Sequence, residues 1–162
     1  MRRFLFILLF LALVVWAEKD TPAKRLVSLL TECKEREDLV PDSFFSDVLL
    51  LKQEIKEQKD SAAKAVYIAT LAHILMQNAK LGQSRKRETA SHPDSVTEWS
   101  REVYLQHAIN LYNYALQDLE LLHNTPTKDW LPLVKRGEDE KLYNSSMLAV
   151  VFKDLRWDFR YD

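Results

Sequence analysis

Apolar residues recur along most of this chain at three- and four-residue spacing, the period of an α-helix. The longest such run covers residues 94–122, where Leu105, Ala108, Ile109, Tyr112, Ala115, Leu116, Leu119 and Leu122 share a stripe. Trp99 and Val103 add a second apolar edge near its start. Ser95 and Glu98 have capping-box spacing, so each side chain can bond the other's backbone amide. A helix apolar over so wide an arc needs neighbours on more than one side, which predicts that this run is the central buried element.

The pattern on either side predicts further helices. Thr21 caps the first, with Pro22 in the first turn where a missing amide costs little. Leu26, Leu29, Leu30 and Cys33 face inward along it to about Arg36. Pro41 breaks the chain, and Asp42 or Ser43 caps a second helix with Phe44, Phe45, Val48, Leu51 and Ile55 inside. A third helix starts at Asp60 or Ser61, reaches Leu81 and stops at Gly82, a residue suited to the left-handed C-terminal position. A stripe of mostly small side chains, Ala62, Ala65, Ala69, Ala72, Met76 and Ala79, opposes the larger Tyr67, Ile68, Leu71, Ile74 and Leu75. That division predicts burial on two sides, with the 94–122 helix as its closest partner.

Residues 83–93 form the long polar connection. After the central run, residues 128–135 read as a short helix around Pro132, anchored by Trp130, Leu131 and Val134. A last helix begins near Asn144 or Ser145 and carries Met147, Leu148, Val151, Phe152 and Leu155. Residues 156–162 alternate aromatic and charged side chains, a pattern open to frayed helix or strand. The predicted fold is all-α: an irregular stack of about six antiparallel helices with helical-hairpin, TPR-like packing but no fixed repeat period. The 2 Gly and 5 Pro among 162 residues argue in the same direction, since β-rich folds need many special turns.

The N-terminal pattern differs from all of this. Arg2 and Arg3 precede an unbroken apolar run over residues 4–16, and Val15 and Ala17 supply small residues at a cleavage site. Residues 1–17 therefore read as a signal peptide, too short for a stable membrane anchor, and residues 18–162 as one helical domain. The protein is expected to be exported, to the periplasm, cell envelope or extracellular space, with no membrane span after cleavage. Removal of Arg2 and Arg3 leaves 21 of the 23 basic residues against 24 acidic ones, a balance that offers nothing to nucleic acid.

Candidate chemistry is sparse. Cys33, the single cysteine, cannot form an internal disulfide and reads as a buried, inert thiol on its apolar stripe. His73, His92, His107 and His123 lack metal-ligand spacing: His73 reads as a core histidine, His107 as a boundary residue and His92 as a loop residue. Acidic pairs such as Glu35 and Glu37, or Asp118 and Glu120, fall on different helix faces and cannot act as dyads. The expectation is therefore no enzyme, no cofactor and no metal. Asn144-Ser145-Ser146 matches the N-glycosylation pattern, and helix capping explains it equally well. Trp99, Trp130 and Trp157 with Tyr104, Tyr112, Tyr114 and Tyr143 could line a peptide groove, although such spacing more often marks core. Within that set the candidate protein-interaction surface comprises Trp130, Trp157 and the neighbouring Phe159.

From about Ser61 onward, an ordered series of pieces resembles the N-terminal helical region of bacterial alpha-2-macroglobulin-like proteins. The series runs from Ser61-Ala62-Ala63-Lys64-Ala65-Val66 through the Arg85-Lys86-Arg87-Glu88-Thr89 turn to Asp94-Ser95-Val96-Thr97-Glu98-Trp99. The tyrosine helix Ile109-Asn110-Leu111-Tyr112-Asn113-Tyr114 follows, then Thr125-Pro126-Thr127-Lys128-Asp129-Trp130, a Gly-acid turn at Gly137 and the helix after Tyr143. The chain departs from the family in having Ser145-Ser146-Met147 where Pro-Thr-Leu is common. It also lacks a Cys-Gly-Glu-Gln-like thioester motif, a run of β-sandwich domains and a bait region. The resemblance implies a non-catalytic front segment of a longer protease inhibitor, unable to trap a protease alone. Its partners would be downstream macroglobulin domains or another envelope protein. The competing expectation is a stand-alone secreted helical module that binds a protein or peptide.

Overall fold

Two ion pairs set the direction of the first helices. The computed structural model describes residues 21–39, 44–80, 99–130, 133 and 146–159. In it α1 (Pro22–Leu39) and α2 (Phe44–Glu57) are joined by Arg25 to Glu54 at one end and Arg36 to Asp47, at 2.7 Å, at the other. Early residues of α1 thus meet late residues of α2, which makes the pair an antiparallel hairpin. The Arg25–Glu54 pair is half in water and adds little stability; its value here is register. Thr21 Oγ1 accepts from the Lys24 amide at 3.3 Å, the cap that the sequence predicts.

α3 (Ser61–Lys80) begins where Asp60 Oδ1 accepts from the Ala63 amide at 2.8 Å. It runs in the same direction as α1, because the Tyr67 hydroxyl donates to the Pro22 carbonyl at 2.9 Å near the start of both. α3 packs on α1 and α2, on α4 (Arg101–Ala115), on α5 (Leu119–Asn124) and on α6 (Met147–Phe159). Its most extensive packing is with α4, as expected. Asn78 meets Tyr104, while Ile68, Ala69 and Ala72 cluster with Tyr112 and Ala115, so α3 and α4 are antiparallel. The fold is all-α; among the described residues there is no strand, only an isolated bridge between Pro126 and Ser146.

The centre of the molecule is α3 rather than the 94–122 run. Tyr67, Leu71, Ala72, Leu75 and Met76 are buried on it, with Ala63, Val66, Ile68, Ala69 and Ala79. α4 buries only Tyr104, Ala108, Tyr112 and Ala115, and it turns Gln106, Asn110, Asn113 and Tyr114 to solvent. The reason lies in side-chain size. Alanines on α3 admit a neighbour closely on one side while large side chains fill the space on the other, so the helix can be surrounded.

The long central helix is also divided. Trp99 and Ser100 are not helical, and Ser100, extended at φ −69° and ψ 165°, places its Oγ 3.4 Å from the Val103 amide as N-cap. Trp99, just before the cap, packs edge-on against Tyr104 four positions into the helix, with centroids 5.4 Å apart. This is a hydrophobic staple, and it sets where α4 starts. The predicted cap at Ser95 and Glu98 lies outside the described residues. At the other end Leu116 closes α4, and Asp118 Oδ1 caps α5 by accepting from the Leu121 amide at 2.9 Å. The restart rotates the stripe, leaving Leu119 48% exposed and Leu122 fully buried.

Past α5 the chain makes a 3-10 turn, Thr127–Trp130, in place of the start of the predicted 128–135 helix. The Met147 amide bonds the Thr125 carbonyl at 2.8 Å and aligns α6 with α5. α6 turns Met147 and Val151 inward and carries helix through Phe159, which settles the aromatic–charged stretch as helix to that point. The expected ends at Gly82 and Gly137 lie outside the described residues, as do residues 1–20. No helix among the described residues is long and apolar enough to cross a membrane.

Candidate functional site

The inner faces of α1, α2 and α3 do not close completely. A partly open cleft of about 280 Å³ lies between them. Leu29 and Leu30 of α1, Phe44, Val48 and Leu51 of α2, and Leu71 and Ile74 of α3 make its apolar walls. Leu30, Phe44 and Ile74 are only half-buried, although the sequence places all three inside. Three helices meeting along cylinders leave a gap where no long side chain reaches across, and here that gap opens to solvent.

Polar groups at the wall are arranged unevenly. Cys33 and Asp47 lie on the hairpin side, with Lys34 on the exposed face of α1. His73, Gln77 and Asn78 lie on α3. Burial pushes the Cys33 thiol up, and the negative Asp47 carboxylate, which also accepts the thiol's hydrogen bond, pushes it further, to about 11. Cys33 is half-buried and free rather than fully buried, but the thiol is protonated at physiological pH and so a poor nucleophile. Asp47 is meanwhile held by Arg36 at 2.7 Å. Asn78, 7% exposed, is one of two buried polar residues among those described. Burial raises the Tyr104 phenol, and a hydrogen bond with Asn78 opposes that rise.

Behind this wall stands an aromatic cluster. The Tyr104 ring meets Phe44 edge-on at 6.3 Å, and Trp99 at 5.4 Å. Trp99, 1% exposed, stacks on His107 with centroids 4.1 Å apart and planes 8° from parallel. Lys52 Nζ sits 5.7 Å from the indole centroid. Burial holds the His107 imidazole below its ordinary value, and the Lys52 charge lowers it further. The boundary position expected for His107 is the one observed, and the stack is what half-buries it. Trp99 and Tyr104 support the cleft wall from behind and do not line it.

The candidate interaction surface is corrected at its first member. Trp130 is 4% exposed and belongs to the main core, in the 3-10 turn that packs on α1, so it offers no contact surface. A short turn can hold its place only by burying its largest ring. Trp157 and Phe159 fall on the α6 backbone, and their side chains lie outside the described residues. Of the wider aromatic set Tyr112 is core, Tyr114 is 53% exposed, and Tyr143 lies outside the described residues. His73 is half-buried at the cleft and His123 is exposed. Among the described residues no three His, Cys, Asp or Glu side chains are placed to share a metal ion. The missed signal was Asn78, a carboxamide on an otherwise apolar face between Met76 and Ala79.

No family model matches the chain, and neither a curated protein nor a solved structure matches it.

Proposed function

We propose that this chain is an exported, non-catalytic helical module that works by binding, taking an apolar group of a partner protein into the cleft between α1, α2 and α3. The observation that carries the reading is the cleft itself: about 280 Å³, largely apolar-walled, with a few polar groups contributed by each of the three helices. Its thiol is held protonated and its carboxylate is already paired, so the groups present suit recognition better than bond-making. Peptides selected from a random library on the full exported chain test this. Enriched peptides should share an apolar anchor and lose at least tenfold in affinity, a cost of about 1.4 kcal/mol, to Ile74→Trp, which fills the cleft. Failure to enrich, or binding indifferent to Ile74→Trp, refutes it. Export is tested separately by mass spectrometry, which should find the mature chain beginning at Glu18; recovery of intact Met1 counts against the signal peptide.

The ordered motif series from Ser61 onward supports a narrower proposal. In it the module stands at the front of an alpha-2-macroglobulin-like protease inhibitor of the bacterial cell envelope and traps no protease alone. Reading the gene beyond the codon for Asp162 decides it. Encoded β-sandwich domains support the proposal, and an immediate stop codon overturns it.

A further inference from the structure

We draw no further inference here: the strongest candidate, the side-chain cluster of Trp99, His107 and Lys52 at the start of α4, rests on the lowered titration of one half-buried imidazole, and its geometry points to no ligand, partner or second conformation.

Discussion

Replacing Trp99 with alanine is expected to be among the most damaging single changes in this molecule. The indole is 1% exposed, heads the staple that starts α4, and touches Tyr104, His107 and Lys52. Aromatic side chains bury roughly 150–250 Å² each. At about 25 cal/mol per Å² that is an upper value of roughly 4–6 kcal/mol for the side chain. Alanine keeps only the first carbon, and large-to-small aromatic substitutions cost about 3–5 kcal/mol in practice. The Lys52 contact adds less, about 0.5–1 kcal/mol. A loss of about 3–5 kcal/mol is a large part of the roughly 5–15 that holds a domain together. For a chain of this length it lowers the melting temperature by very roughly 6–20 °C. Urea unfolding followed by circular dichroism measures it, with Leu119→Ala as the comparison. Leu119 lies on the same predicted stripe but is 48% exposed, so its loss should cost no more than about 0.5 kcal/mol. Equal effects of the two substitutions, or a Trp99→Ala cost under about 1 kcal/mol, would refute both the staple and the division of the long helix.

Three further outcomes are expected. His107 is held below its ordinary value, so the unfolded chain binds its proton more readily. Its contribution to stability is present above the unfolded value near ~6.5 and is lost as pH falls through the lower folded value. Urea midpoints at pH 8 and pH 5 should therefore differ less in His107→Gln than in the unaltered chain, and an unchanged difference refutes the stack as its source. Cys33, at about 11, should react with iodoacetamide at pH 8 on the order of a hundredfold more slowly than an ordinary free thiol near ~8.5, and Asp47→Asn should speed it. Comparable rates would mean that the carboxylate does not control it. Ala72→Asp buries an unpaired carboxylate at a 0% exposed position on α3, costing several kcal/mol, so soluble protein with unchanged melting would mean that the α3–α4 interface is misplaced.

Helix identity was legible in the sequence because it depends on near neighbours. Apolar spacing, the Thr21 and Asp60 caps and the scarcity of glycine are local signals, and the first three helices and the last that they predict are present, while the 94–122 run is divided and the predicted 128–135 helix starts as a 3-10 turn. The start of α4 was legible in principle: Trp99, Ser100 and Tyr104 have staple spacing, but Ser95 and Glu98 offer a competing cap pattern. Periodicity alone cannot choose between two caps on one apolar run. The break at Asp118 is similar, since a stripe continues on paper whether or not the helix restarts in a new phase.

Other features depended on which helices meet. That Trp130 is core and Tyr114 is surface follows from the turn folding back onto α1 and from α4 packing most extensively on α3, with Tyr114 left 53% exposed. Centrality passed to α3 because five helices need a shared face, and its mixed small and large side chains supply it. The cleft was invisible in the sequence for the same reason. Leu30, Phe44 and Ile74 each look like ordinary inward residues of their own helices. Whether their tips touch or leave about 280 Å³ between them is set by how three cylinders cross, and no single helix contains that quantity.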